Sequence, residues 1–147
     1  MTLSEKLVND MKEALKSKDE RKLCAIRFLR SQIKNLEIDK RRPVTDEEVV
    51  TLIQKNIKQR KEVFPDYERM GRTDYLEKEK AEIVIMEAYL PPQLSKEEIT
   101  KLVEDAIKET GAASIKDIGK VMGALVSRTK GKADGKIVSD LVKERLG

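Results

Sequence analysis

The sequence has 147 residues, of which 39% are charged and 3% aromatic, and its formal net charge is +4. The absence of histidine excludes His-based catalytic triads, imidazole general bases and most zinc sites. No apolar run approaches the ~20 residues of a membrane span, and a single cysteine, Cys24, excludes an internal disulfide. We therefore predict a cytoplasmic protein of one domain or two small ones, with no membrane association and no cofactor.

Four helices are predicted before residue 91. A serine or threonine followed three residues later by glutamate forms a capping box, and such pairs begin the first three helices: Thr2 and Glu5, Ser17 and Glu20, Thr45 and Glu48. Asp74 is the predicted cap of the fourth helix. Pro65 should kink or end the third helix, because its ring clashes with the preceding turn.

The apolar residues of these segments recur at helical spacing and predict their buried faces. Cys24 is expected to be a buried thiol. The acidic residues of the fourth helix (Glu77, Glu79, Glu82 and Glu87) alternate with lysines and are expected to be solvated. The predicted inward positions include Leu7, Ala14, Leu15, Ala25, Ile26, Leu29, Ile33, Val49, Ile53, Ile57, Ile83, Val84, Met86 and Ala88.

Pro91-Pro92 forces extended backbone and predicts a domain boundary, with domains 1–91 and 92–147. Three helices follow, capped by Ser95, Ser114 and Asp134, and the last two should bury a face that includes Val126 and Ile137. Gly131 suits a left-handed helix end. No strand pattern is present, so we predict an all-α fold in which an antiparallel N-terminal bundle precedes a small three-helix C-terminal domain.

Basic residues concentrate around the turn between the last two helices. Glycine in such a turn lets backbone N–H groups and cations approach phosphate together, although lysines after a helix end also complement its dipole while solvated. Both interpretations remain open from the residues alone. The candidate nucleic-acid contacts here are Lys116, Lys120, Arg128, Lys130, Gly131, Lys132 and Lys136.

Gly119 and Gly123 stand one turn apart in the sixth predicted helix, where each glycine costs ~1 kcal/mol relative to alanine. Either a closely packed helix or an approaching ligand backbone would account for them. Because aromatics are few, any RNA recognition should involve shape and backbone and not unpaired bases.

A cationic stripe of Arg27, Arg30 and Lys34 lies on the second predicted helix. It is either a solvated face or a second phosphate-contacting surface. No acid–base pair suitable for catalysis is evident, so no catalytic residue is predicted.

Three segments of the chain resemble the GatB/YqeY family: Gly119–Leu125, Lys130–Lys136 with Val138 and Leu141, and the Tyr89–Ser95 junction. The match runs through nearly all of the chain, so it resembles free-standing members and not the amidotransferase B subunit, whose tail domain is related. The resemblance implies tRNA binding and a connection with glutamine-dependent aminoacyl-tRNA amidotransferase, a carbon–nitrogen ligase with glutamine as amide donor. It does not cover that enzyme's catalytic parts.

The leading hypothesis is therefore a tRNA-binding accessory protein. One alternative is a protein-interaction module that docks on a tRNA synthetase or an amidotransferase. Another is a helix-turn-helix DNA binder in the second domain, which the glycines of the would-be recognition helix weaken.

Overall fold

The computed structural model describes residues 1–147 and contains eight α-helices, one short 3₁₀ turn and no strand. The chain forms two compact units, an N-terminal unit (Met1–Leu90) and a C-terminal unit (Pro91–Gly147). The predicted all-α class is confirmed, and no helix is long and apolar enough to cross a membrane. The helices are α1 (Leu3–Ser17), α2 (Glu20–Lys40), α3 (Asp46–Glu62), α4 (Phe64–Arg69), α5 (Thr73–Glu87), α6 (Lys96–Thr110), α7 (Ile118–Thr129) and α8 (Gly135–Leu146).

Local caps start several of these helices where they were predicted. In α3, the Thr45 hydroxyl accepts the backbone N–H of Glu48 at 3.2 Å, and the Glu48 carboxylate accepts the backbone N–H of Thr45 at 3.1 Å. The same reciprocal box joins Thr2 and Glu5 at α1. Each pair satisfies two backbone donors that a helix start would otherwise leave without a partner.

Two predicted helix starts of the N-terminal unit are wrong. Ser17 is the last residue of α1, and Lys18 then takes a left-handed conformation with φ 59°, so α2 is capped by Asp19 instead. Asp74 lies inside the first turn of α5, where its carboxylate accepts hydrogen bonds from Arg72. At α2 the carboxylate of Asp19 takes the place of the predicted Ser17 cap, whereas α5 starts at Thr73 without a side-chain cap. In the C-terminal unit, the predicted cap Ser114 precedes a 3₁₀ turn (Ile115–Asp117), and α7 starts after it with Asp117 as its N-cap.

Pro65 ends one helix and begins another. Helix α3 ends at Glu62 and α4 begins at Phe64, so the proline occupies the second position of α4. A missing N–H has no consequence there, because the first residues of a helix have no intrahelical acceptor. The N-terminal unit therefore has five helices instead of the predicted four.

The core of the N-terminal unit combines residues of α1, α2, α3 and α5. Leu15 and Val84, predicted inside, are 48% and 66% exposed, and Cys24 and Ala88 are also exposed. These residues lie at the edges of the apolar stripes, which shows that each helix buries a narrower face than its sequence offers. The buried positions are Leu7, Ala25, Ile26, Leu29, Ile33, Val49, Ile53, Ile57, Ile83, Met86 and Tyr89.

Arg60 of α3 joins the N-terminal core to the acidic side of α5. Its guanidinium donates to Glu79 at 3.0 Å and to Glu82, and it lies 5.0 Å from the centre of the Phe28 ring. Glu82 is only 4% exposed, so the prediction of a fully solvated acidic face on α5 is wrong. The burial of this carboxylate follows from the cation that the neighbouring helix supplies.

Lowering the pH is expected to destabilise the N-terminal unit through Glu48. Hydrogen bonds from Arg42, Lys40 and the Thr45 backbone hold the pKa of Glu48 well below its ordinary 4.5. Because the pKa is lowered on folding, ionised Glu48 stabilises the fold above about pH 4.5 and this contribution is lost as the pH falls further. Urea midpoints at pH 7 and pH 3 should therefore differ less in Glu48→Gln than in the wild type. An identical difference in both proteins would contradict this expectation.

Candidate nucleic-acid interface

The three helices of the C-terminal unit enclose a small core of their own. Val126 and Ile137 were predicted to be buried but are 51% and 48% exposed, while Thr129 is buried and its hydroxyl donates to the Leu125 carbonyl at 3.0 Å. With only two neighbours, each helix covers a narrow stripe, and the edge residues remain in solvent. The buried core is Ile99, Val103, Ala106, Val121, Leu125, Val138, Leu141 and Val142.

The basic turn, defined here as residues 128–136, connects α7 to α8. Gly131 has φ 78°, as its position after the helix predicted, and this left-handed conformation is one that glycine adopts without strain. The backbone N–H groups of Lys132 and Ala133 both donate to the Thr129 carbonyl, at 2.9 and 3.0 Å. The turn is therefore a hydrogen-bonded continuation of the helix end.

A second segment holds the basic turn from outside. The backbone N–H of Leu94 donates to the Lys132 carbonyl at 2.9 Å, and the Gln93 side-chain amide donates to the Gly131 carbonyl at 2.9 Å. Sequence reasoning identified Pro91-Pro92 only as a boundary and missed this contact. No local signal could have revealed it, because Gln93 and Gly131 are 38 residues apart.

The cations of residues 116–136 divide into those with and those without an ion-pair partner. Arg128 pairs with Glu109 of α6 at 2.7 Å, and Lys130 also has an interaction partner. Four exposed lysines form no ion pair: Lys116, Lys120, Lys132 and Lys136. We call these four the lysine cluster.

The carboxylates in this segment serve the backbone. Asp117 accepts the N–H groups of Ala113 and Ser114, at 3.0 and 3.4 Å, and these hydrogen bonds lower its pKa. The carboxylate of Asp134 accepts the backbone N–H of Lys136 at 2.9 Å and caps α8. Residues 116–136 contain six basic and two acidic side chains, whereas the rest of the C-terminal unit has five basic and seven acidic ones. Positive charge is therefore concentrated at this part of the unit.

Gly119 and Gly123 are exposed on α7, and a Cβ built at either position meets no atom within 4 Å. No other helix of the C-terminal unit packs closely against them. Of the two explanations open from the sequence, close packing within this unit is not what the structure shows. Four-residue spacing places both glycines on one side of the helix, which therefore has a stretch of accessible backbone.

A scan against family models matches residues 4–146 to the family described as Yqey-like protein. The chain belongs to the YqeY family. The predicted resemblance is thereby confirmed at the level of the family, and the matched range includes both units of the YqeY chain.

Curated relatives of this YqeY protein carry the name altered inheritance of mitochondria protein 41, mitochondrial. The protein of Pyrenophora tritici-repentis is 33% identical over 97% of this chain and 80% of its own length. That of Vanderwaltozyma polyspora is 33% identical over 76% of this chain and 64% of its own length. A Saccharomyces cerevisiae protein is 31% identical, and the match covers 81% of this chain and 68% of the relative.

The cationic stripe of α2 lies in the N-terminal unit of this YqeY protein. Arg27 and Lys34 are exposed and form no ion pair, but the Arg30 guanidinium is half-buried and lies 3.1 Å from the Met11 sulfur. Arg30 therefore packs against Met11 within the N-terminal unit, and only Arg27 and Lys34 of the three predicted cations are fully accessible to a ligand.

Proposed function

We propose that this YqeY protein is a non-catalytic tRNA-binding accessory protein whose C-terminal unit binds the RNA backbone. The observation that carries the proposal is the lysine cluster, four exposed lysines that form no ion pair, together with the accessible backbone of Gly119 and Gly123: Lys116 and Lys120 flank Gly119 at the start of α7, and Lys132 and Lys136 follow its end. Arg27 and Lys34 supply a further cationic surface in the N-terminal unit.

The chemistry of this surface suits a polyanion with a regular backbone. Unpaired lysines neutralise phosphates and release their counterions, which provides affinity without base reading. The 3% aromatic content offers few platforms for stacking unpaired bases, so shape and ribose-phosphate contacts should dominate. The partner we propose is therefore structured RNA, with tRNA as the class that the family resemblance implies.

The accessory role follows from the resemblance to the tail of an amidotransferase subunit. A tRNA synthetase or an amidotransferase is the protein partner that we propose to receive the bound tRNA. Both the cytoplasm, which the sequence predicts, and the mitochondrion, which the names of the relatives give, contain translating ribosomes and tRNA. The proposal is compatible with either compartment.

Removing three of the four lysines of the lysine cluster tests the proposal. The variant Lys120→Ala/Lys132→Ala/Lys136→Ala should lose three exposed lysine–phosphate contacts in the complex. At about 0.5 kcal/mol for each contact, tRNA binding should weaken about tenfold. The slope of log affinity against log salt should become shallower by about 2, because each phosphate contact contributes ~0.7–0.9. Filter binding of unfractionated tRNA at several salt concentrations measures both quantities.

A matched variant controls for charge. Lys101→Ala/Lys108→Ala/Lys143→Ala removes three exposed lysines of the same unit outside residues 116–136. It should retain nearly all of the affinity, and circular dichroism should show equal helicity in the two variants. Equal weakening in both would indicate unspecific attraction, and unchanged binding in the first would remove the lysine cluster from the site.

A protein-docking function is the second candidate, and one observation favours it. Val126 is 51% exposed and lies three residues after Gly123, on the same side of α7 as the glycines. An apolar side chain beside accessible backbone also suits a partner helix. Retention of a synthetase or amidotransferase that hardly changes with salt, in the absence of salt-dependent tRNA binding, would favour this candidate.

A further inference from the structure

Gln93 is placed where it can hold the basic turn in one conformation. Its side-chain amide donates to two carbonyls, Gly131 at 2.9 Å and Pro91 at 2.7 Å. One amide group thereby ties the start of the C-terminal unit to the turn between α7 and α8. The amide nitrogen of glutamine carries two N–H donors, so one can bond to the Gly131 carbonyl and the other to the Pro91 carbonyl.

The residues that follow Gln93 hold its backbone in place. Leu94 is partly buried against the core of the C-terminal unit, and its N–H bonds the Lys132 carbonyl. Ser95 caps α6 by accepting the N–H of Glu98 at 3.2 Å. The segment from Gln93 to Ser95 is thus anchored by packing, by a backbone hydrogen bond and by a helix start, and the Gln93 side chain extends this anchor to Gly131.

These contacts occupy three backbone carbonyls of the basic turn. The carbonyls of Thr129, Gly131 and Lys132 all accept hydrogen bonds from the protein. A carbonyl oxygen directed at a phosphate would repel it, and these three are occupied from within the unit. The Lys132 side chain is exposed in the same turn, so its ammonium group is accessible to a phosphate.

We propose that Gln93 is a positioning residue that pre-orders the basic turn for a polyanion, an inference that rests on the proposed function. It does not contact phosphate itself. A turn ordered before binding avoids the entropy cost of ordering it on the RNA. Loss of the Gln93 amide should therefore weaken binding without reducing the number of phosphates neutralised.

The test compares Gln93→Met, which keeps the length of the side chain and removes its donors, with Gln59→Met on the exposed side of α3. In Gln93→Met, the dissociation constant for unfractionated tRNA should rise about tenfold, or ~1.4 kcal/mol. The salt slope should equal that of the wild type, whereas Lys132→Ala should reduce it by ~0.7–0.9. Hydrogen exchange at the Leu94 and Lys132 amides should be faster in free Gln93→Met, and Gln59→Met should match the wild type throughout.

Each other outcome overturns part of this account. A lower melting temperature of Gln93→Met with unchanged tRNA affinity would make Gln93 a purely structural residue. A reduced salt slope would mean that Gln93 contacts phosphate directly. If wild-type protein shows no salt-dependent tRNA binding, the proposed function fails and this inference fails with it, whereas normal wild-type binding and an unaffected variant reject the inference alone.

Discussion

Replacing Arg60 by methionine is expected to destabilise the N-terminal unit by about 3–5 kcal/mol. Glu82 is 4% exposed, and removal of the guanidinium leaves its carboxylate buried with no cation beside it. Glu79, whose carboxylate lies 3.0 Å from the same guanidinium, loses its partner as well. Since a domain has only about 5–15 kcal/mol of net stability, urea unfolding followed by circular dichroism should show a large fall in midpoint.

Two further variants separate the buried charge from the general effect of losing a cation. Lys55→Met removes an exposed charge from the same helix and should change stability by less than about 0.5 kcal/mol. Arg60→Met combined with Glu82→Leu should recover much of the loss, because an apolar pair of similar volume often replaces a buried ion pair without cost. An Arg60→Met protein as stable as Lys55→Met would contradict the role of Arg60 in the core.

The features that could be predicted from the sequence depend on residues close together in the chain. Thr45 and Glu48 are three residues apart, and the box they form needs only the local helix geometry. Pro65 acts on its own turn, and Gly131 takes its left-handed conformation for reasons internal to the helix end. Interactions of this range are visible as sequence patterns.

The features that could not be predicted depend on what another helix supplies. Glu82 is buried because Arg60 faces it from α3, and nothing in the local sequence of α5 distinguishes it from solvated Glu87. Val126 is exposed because the helices around α7 cover a narrower stripe than its apolar residues offer. A period of 3.6 residues defines the centre of a buried face, but the neighbouring helices determine its width.

The same limit applies to the candidate interface. The excess of basic residues near Lys132 was predictable from composition along the chain. The pairing of Arg128 with Glu109, 19 residues away, was not, and it removes one cation from the group that the sequence offered. The hydrogen bond of Gln93 to Gly131 likewise required the fold.

Replacing Gly123 by alanine is expected to stabilise the free protein and weaken its binding of tRNA. The added methyl meets no atom within 4 Å, and alanine is favoured over glycine inside a helix by about 1 kcal/mol. For a unit of this size such a gain raises the melting temperature by about 4–8 °C. Gly119→Ala should add less, because Gly119 is the second residue of α7.

The loss of binding has a separate cause, which lies in the complex. The double variant Gly119→Ala/Gly123→Ala adds two methyl groups to α7. If an RNA backbone rests on this helix, the methyl groups push it away from the helix and from the neighbouring lysines. Overpacked contacts cost about 1–3 kcal/mol, so the double variant should bind tRNA about tenfold more weakly or worse. Thermal unfolding and filter binding on the same preparation measure the two opposite effects.

Asn35→Ala provides the comparison, because it places alanine at an exposed position of α2, far along the chain from the glycines. It should gain a few tenths of a kcal/mol in stability and bind tRNA as the wild type does. A double glycine variant that is more stable and still binds fully would show that the RNA does not lie on this face of α7. Since no atom of the protein lies within 4 Å of a Cβ built at either glycine, lost affinity together with gained stability would support a clash with the bound partner.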